Sequence, residues 1–407
     1  MKVLLVHKFN FIEGGAGRYF LELAEALEKR GVKTAKFCCQ HPNNLPDKNE
    51  KYFTKAYDYF GALTWREKIR AALKLLYNFE AKKDFEALLK EFKPDIIHIH
   101  NIYHQISPSI LTVAAKYKIP VVMHLHDYKL VSPNYKMYDR YGLNERALGK
   151  NYLTCLWDRC FNDSFWLSAL VAIEMYLHHS FLNIYKKNIK GYIAPSEFMR
   201  DMVVRGGVLK EKVLVEPYFI SRLEEWKPVY DPGEYLLYFG RLAVEKGLDV
   251  LIKAMSKVKY GLVLKIVGQG SEEAKLRQMV KELNLQDRVE FVGRLDGEEL
   301  FDCIRKSYAV VVPSVWYENK PLALSEAMAL GKTAIVSKIG GMPEVVKDKI
   351  NGRTFIPGDE NDLARVINEL NNHDIINYGQ RARETSEAFS VDKHCEKLLS
   401  YYNLFLN

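Results

Sequence analysis

Long uncharged apolar runs are missing from this 407-residue chain. A bilayer span needs about 18 or more such residues in a row. The most apolar segment, 164–182, is broken by Glu174 and by His178-His179, so it reads as a buried or interfacial helix. The opening MKVLLVHKF is basic then apolar, too short for a secretory leader and followed by no small-residue cleavage site; a cytoplasmic protein, at most peripheral on the cytoplasmic membrane face, is expected. Cysteine is scarce: six in the whole chain do not suggest a disulfide scaffold, and the adjacent Cys38-Cys39 fall in an expected strand, where buried thiols are common. No short-period repeat, low-complexity tract or Asp-x-Asp metal-diphosphate signature occurs.

What is present fits a globular protein of two domains. Hydrophobic residues make up 48% and charged residues 27%, and the length exceeds what one core usually supports. The net charge of +8 is uneven: residues 1–215 hold 33 Lys+Arg against 22 Asp+Glu, a net of +11, and the other 26 basic and 29 acidic residues give −3. A basic front half is either a solvated surface or a face for anionic lipid or an anionic acceptor. The aromatic KYFTKAYDYFGALTWREKIR and the helix near FWLSALVAIEMYL would serve the second purpose.

Strand and helix patterns alternate twice. The front half opens with a strand at Lys2–Val6, a glycine-containing loop, and a helix from about Ala16 to Arg30 with Phe20, Leu23, Ala24 and Leu27 at helical spacing. Further strands are Thr34–Cys39, PDIIHIHN and IPVVMHLHD, with helix between about Trp65 and Phe92. The grammar restarts with YLLYFGRL, GLVLKIVG, RVEFVG, AVVVPS and TAIVSK. The expected fold is α/β, with two Rossmann-like doubly wound parallel sheets facing across a cleft. Pro217, Pro228 and Pro232 mark the join. The expected domains are 1–216 and 217–390, with an amphipathic C-terminal helix at about 391–407 packing back on the first. Such sheets bind ligands at the carboxyl ends of their strands.

Three stretches at those ends carry chemistry. In PSVWYENKPLALSEAMALGK, Glu318 lies in a loop after a strand, Pro321 at or near the first turn of a helix, Glu326 on that helix, and Gly331 at its end. Free N–H groups and the positive dipole end of the helix favour a diphosphate, while the two carboxylates can accept hydrogen bonds from sugar and ribose hydroxyls. In FGRLAVEKGLD, Arg241 and Lys246 would project toward the same place and stabilise a departing pyrophosphate. In FNFIEGGAGRYF, Gly14 and Gly15 permit close backbone approach before a second helix start. That loop fits a dinucleotide fingerprint only in part, and TAKFCCQH ends without the acidic residue a ribose would need.

Taken together, GRLAVEKG, the Glu318-x7-Glu326 pair, EAMALGK, and SKIGGMPEVV followed by NGRTF closely resemble the retaining glycosyltransferases of family 4, which have the GT-B fold. The resemblance runs from the Gly14-Gly15 loop to the last helix. It implies that Glu318 holds donor-sugar hydroxyls, Glu326 the ribose, and Arg241 with Lys246 the diphosphate. Backbone around Asn319, Lys320 and Leu322 would approach the sugar and phosphates, and Arg294 would contact the base. Here Asn319-Lys320-Pro321 replaces a glycine-rich run, and Pro321 offers no N–H. His126, in HLHDYKLVSPNY, matches a histidine lining the sugar pocket and serves catalysis with Glu318, Arg241 and Lys246; Asp127 would position rather than act as a base. Relatives with this stretch often carry a cysteine where Ser132 stands and more beyond it. Only Cys155 and Cys160 remain here, an incomplete zinc pair, and His98, His100 and His104 are read as packing and acceptor contacts, so no metal and no cofactor are expected.

The implied reaction moves a sugar from a nucleoside diphosphate sugar, UDP- or GDP-linked, to a hydroxyl of a saccharide or lipid-linked acceptor, in cell-envelope polysaccharide or glycolipid synthesis. No nucleic acid partner is expected. A glycosidase would also use two carboxylates but would leave the basic pair idle. A non-catalytic sugar-nucleotide or polysaccharide binding protein is the alternative, disfavoured because both acids and both cations occur together.

Overall fold

The computed structural model describes residues 1–57, 64–259 and 261–406. It divides into two compact units, Met1–Pro217 with His394–Asn407, and Tyr218–Lys393.

In the first unit, β1 (Lys2–Val6), β2 (Lys33–Phe37), β3 (Ile96–Ile99) and β4 (Val121–His124) are followed by a short antiparallel hairpin of β5 (Tyr138–Asp139) and β6 (Gly142–Leu143), then by β7 (Gly191–Ala194) and β8 (Val213–Val215). The six strands outside the hairpin pair in parallel in the order β2-β1-β3-β4-β7-β8. The order reverses between β1 and β3, where a doubly wound sheet opens its crevice. β7 and β8 escape sequence reading. Each is short, and β8 is only half-buried, so neither produces a long apolar run. The expected helix between Trp65 and Phe92 is two helices, Trp65–Leu76 and Phe79–Phe92, because Tyr77 in extended backbone ends one and the Asn78 side chain caps the next. The 58–63 portion of the basic aromatic stretch lies outside the described residues.

Helix Val391–Asn403 closes the chain. Its Tyr402 hydroxyl meets His98 Nδ1 at 2.6 Å, Tyr401 donates to the Tyr192 carbonyl of β7 at 3.2 Å, and His394 bonds Tyr19 at 2.8 Å. All of these partners belong to the first unit.

The second unit contains β9 (Tyr235–Phe239), β10 (Val263–Val267), β11 (Val289–Gly293), β12 (Ser307–Val312), β13 (Ala334–Ser337) and β14 (Gly352–Phe355), parallel in the order β11-β10-β9-β12-β13-β14. Both faces are covered. Leu236 and Tyr238 of β9 enter one apolar core, and Tyr235, Leu237 and Phe239 the other. A strand buried on both sides reads as a continuous apolar run, which is why YLLYF and AVVV are so legible. The switch point falls between β9 and β12, so the loops Gly240–Lys246 and Pro313–Pro321 emerge side by side.

Cys155 and Cys160 are joined by a disulfide, a correction to their reading as an incomplete zinc pair. The short helix Thr154–Asp158 ends at Arg159 in the left-handed region, and this turn brings the two Cα atoms to 4.9 Å. Cys38, Cys39, Cys303 and Cys395 are free.

Candidate active site

In the second unit the sequence-derived residues converge. Lys246 Nζ lies 2.6 Å from Glu318 Oε1, and Ser314 donates to the same oxygen at 2.7 Å. Sequence reading did not single out Ser314, although it heads the SVWYEN loop. Lys246 also stands 5.2 Å from the Trp316 ring.

Backbone geometry fixes this pair. Gly247, at φ 66, sits so close to β12's exit that an added Cβ would meet the Pro313 carbonyl oxygen at 2.1 Å, and Val315 N–H donates to the Glu245 carbonyl at 3.0 Å. The two loops are thereby knitted together. On the other side, Gly340 takes φ 61 and a Cβ there would strike the Glu318 carbonyl oxygen at 2.3 Å, while Gly341 N–H donates to that oxygen at 2.7 Å. Gly340 of SKIGGMPEVV lets this turn close on Glu318.

Burial alone would raise the Glu318 carboxyl; the Lys246 ammonium and the hydrogen bonds outweigh it and hold the group below the usual 4.5. A buried, ionised carboxylate is an acceptor for hydroxyl groups. Glu326 is also buried, on helix Leu322–Ala329, whose first residue is Leu322 and whose cap is Pro321. Gly331, at φ 77, follows the helix end. Asn319 lies half-buried in the loop. The Lys320 side chain turns into the fold, where Nζ donates to the Tyr218 carbonyl at 3.0 Å and lies 3.1 Å from the centre of the Phe389 ring.

Arg241 is largely exposed and pairs with the buried Glu245 at 2.8 Å. It lines a cavity of about 290 Å³ at the carboxyl ends of β9, β10 and β11, together with Gly240, Gly268, Gln269 and Arg294. Arg294 reaches Asp296 at 2.9 Å. The Gly268-Gln269-Gly270 turn was not selected from sequence; glycines after a strand were its only signal.

The first unit gathers histidines on β3 and β4, next to its own switch point. His98 and His100 leave one face of β3, and His124 with His126 the same face of β4, because alternate residues of a strand point the same way. The rings stack: His98–His100 at 4.4 Å, His124–His126 at 4.6 Å and His100–His126 at 5.2 Å. His100 Nδ1 bonds His126 Nε2 at 2.9 Å. Burial holds His98, His100 and His124 well below the ordinary imidazole value and His126 at about 3, so all four are neutral. Ring nitrogens of His98, His100 and His124 lie within 4.8 Å of one another. Their ring planes lie within 28° of parallel. His104 departs from this group and faces Glu174 at 3.7 Å. Asp127 is pushed up to about 6 by burial, against the opposing bond from Lys129 N–H. Gly14 caps helix Gly15–Lys29 with extended backbone, and Gly15 is its first residue.

Comparison with known proteins agrees with this geometry. Residues 13–221 match the family model described as Glycosyltransferase Family 4, and residues 222–388 the model Glycosyl transferases group 1. An uncharacterized 42.6 kDa protein in the cps region of Klebsiella pneumoniae is 28% identical over 362 residues, 85% of this chain and 87% of that protein. The O-antigen chain mannosyltransferase C of Escherichia coli is 28% identical over 229 residues, 53% of this chain and 59% of that one. The fold matches Alr3699/HepE of Anabaena, solved with UDP and glucose, with a TM-score of 0.65 and 18% identity over 99% of each chain. Two switch-point sheets, the paired acid and base loops and these matches lead to one statement: the chain belongs to the group 1 glycosyltransferases of family 4, with the GT-B fold, and is a transferase.

Proposed function

We propose that the protein is a retaining glycosyltransferase that moves a sugar from a nucleoside diphosphate sugar to a hydroxyl acceptor in cell-envelope polysaccharide or glycolipid synthesis. The observation that carries this reading is the Lys246–Glu318 pair beside Arg241 at the switch point of the second unit. The nucleotide takes the cavity lined by Gly240, Arg241 and Arg294, with Arg294 toward the base and Glu326 on the ribose. The diphosphate meets Arg241, Lys246 and the amino end of helix Leu322–Ala329, with backbone of Asn319, Lys320 and Leu322 alongside. Glu318 accepts from the sugar hydroxyls. A uridine nucleotide is favoured by the UDP bound to the Anabaena protein.

In the proposed step the bond from the anomeric carbon to the diphosphate oxygen breaks while the acceptor oxygen bonds on the same face. The acceptor's proton passes to the departing phosphate, so no side-chain base is needed. Cationic side chains and helix N–H groups stabilise the charge that develops there, without a divalent ion. Neutral His126 contacts the sugar or the reacting hydroxyl, and the Gly14-Gly15 turn supports donor phosphate and acceptor. No described helix is long and apolar enough to cross a membrane; a cytoplasmic enzyme acting on a saccharide or lipid-linked acceptor fits this reading.

Calorimetry with UDP, GDP and their sugar conjugates tests the donor. NMR of the product's anomeric proton tests retention. Absence of nucleotide-sugar binding, or product of inverted configuration, refutes the reading.

A further inference from the structure

The first unit carries an apolar face that no described residue covers. Helix Phe165–Met175 continues into a π-helical turn, Tyr176–Phe181. The inner side is committed to the protein: Val171, Ala172, Met175 and His178 are buried, and Glu174 closes on Lys129 at 2.6 Å. The outer side is apolar. Trp166 is 79% exposed, Ile173 55% and Phe181 81%. Leu170 and Leu177, partly exposed, fall between them. Positions 166, 170, 173, 177 and 181 recur at steps of three and four, so they form one stripe along the rod, about 22 Å long at helical rise. No charge interrupts it.

Helix Trp65–Leu76 packs against this rod, and its Leu76 carbonyl accepts from His178 Nε2 at 2.7 Å. It adds Trp65, Ile69 and Leu73, all more than half exposed and four residues apart. Helices that face water carry polar residues at such positions, and apolar patches this continuous mark interaction surfaces.

Charge identifies the occupant. Arg66, Lys68, Arg70, Lys150, Lys186 and Lys187 are exposed on the two helices and the segments flanking them. Lys150 is tethered by its Nζ to the His179 carbonyl at 3.2 Å. The exposed acid of helix Trp65–Leu76, Glu67, is engaged in a capping box with Thr64. Tryptophan and phenylalanine along a stripe with lysine and arginine around it match the boundary between lipid headgroups and acyl chains. The rod offers one side only, since Glu174 and His178 hold the other in the protein, so it lies on a bilayer and does not cross it.

We propose that this face seats the first unit on an anionic lipid bilayer, with the stripe from Trp166 to Phe181 sunk at the headgroup boundary and the basic residues against lipid phosphates. The proposal goes beyond the donor chemistry and stands or falls separately from it.

The test is sedimentation of the full chain with phosphatidylcholine vesicles, with and without phosphatidylglycerol, at low and high salt. Binding should require phosphatidylglycerol and weaken with salt. The double variant Trp166→Ser, Phe181→Ser should lose about tenfold or more in vesicle affinity, as two large apolar side chains no longer insert. Its affinity for a nucleotide sugar should stay at the wild-type level, which separates this result from failure of the donor assignment. No sedimentation with phosphatidylglycerol vesicles, or a double variant that binds like the wild type, overturns the proposal. Concentration-dependent dimers that the double variant abolishes, without vesicle binding, would assign the face to a second copy and also overturn it. Should the double variant fail to fold, brominated lipids answer with the wild type: they should quench its tryptophan fluorescence, and unquenched emission refutes insertion.

Discussion

Lys246 keeps Glu318 charged. Their 2.6 Å contact lies where the exits of β9 and β12 meet, and only the cation and the hydrogen bonds stop burial from neutralising the carboxyl. In the wild type the folded value lies below 4.5, so the pair stabilises the protein above that pH and the contribution fades as pH falls through the folded value. In Lys246→Ala burial acts with less opposition, the folded value rises, and the sign reverses: ionising the group then costs stability as pH rises. The melting temperature gap between wild type and Lys246→Ala should therefore be larger at pH 7 than near pH 4. The loss should reach about 1–3 kcal/mol at neutral pH. An equal gap at both pH values would dissociate Glu318 ionisation from Lys246.

Donor affinity supplies a second test. Lys246→Ala removes a cation assigned to the diphosphate, and Glu326→Ala an acceptor assigned to the ribose. Each should weaken nucleotide-sugar binding by about 1–3 kcal/mol, the size of a lost charge-assisted hydrogen bond. Calorimetry that finds wild-type affinity in either variant removes that residue from the site.

Much of this site was legible because its parts follow strands buried on both faces. YLLYF and AVVVPS announce β9 and β12 as apolar runs, and the loops after them hold Arg241, Lys246, Glu318 and Asn319. Strands without such runs were opaque: β14, Gly352–Phe355, contains a buried Arg353 paired with Asp348 and Glu369, so its sequence looks polar. Distance in the chain hid other relations. Nothing local to Lys320 foretells that its ammonium is held by Tyr218 and Phe389 rather than offered to a ligand. His124 joins His98 and His100 only through the register of β3 with β4, whereas spacing alone suggested His104.

The buried Lys320 contact predicts a stability effect. Lys320→Ala strips a hydrogen bond from the Tyr218 carbonyl and a cation from the Phe389 ring, together worth about 1–3 kcal/mol in a buried setting. Urea denaturation should show this loss. A variant as stable as the wild type would mean the side chain is not held there in solution.

Asp127 should act in the opposite sense to Glu318. Burial raises its folded value to about 6 from an ordinary 3.8, so the native state holds a proton that the unfolded chain has released. Stability from this group therefore declines as pH rises from about 4 to 6, by an amount on the order of 1–3 kcal/mol. Asp127→Asn, which can still accept from Lys129 N–H, should remove that decline and be more stable than the wild type at pH 7. Parallel melting profiles for the two proteins between pH 4 and 7 would contradict it.

The Lys129–Glu174 pair permits the sharpest separation of charge from packing. Both side chains are 2% exposed and 2.6 Å apart, and His104 and His178 flank the carboxylate at 3.7 and 3.9 Å. Burial raises the Glu174 carboxyl, but Lys129 and the two histidines outweigh it and leave the group below its ordinary value. Glu174→Leu leaves a buried ammonium that keeps the Pro133 carbonyl, 3.3 Å away, but no counter-charge within contact among the described residues, and should cost about 3–5 kcal/mol. Pairing it with Lys129→Met removes the stranded charge as well, and most of the loss should return because two apolar side chains of similar volume replace the ion pair. If the double variant is as unstable as Glu174→Leu alone, the pair's role is geometric: its hydrogen bonds, not charge balance, hold helix Phe165–Met175 against the loop that follows β4.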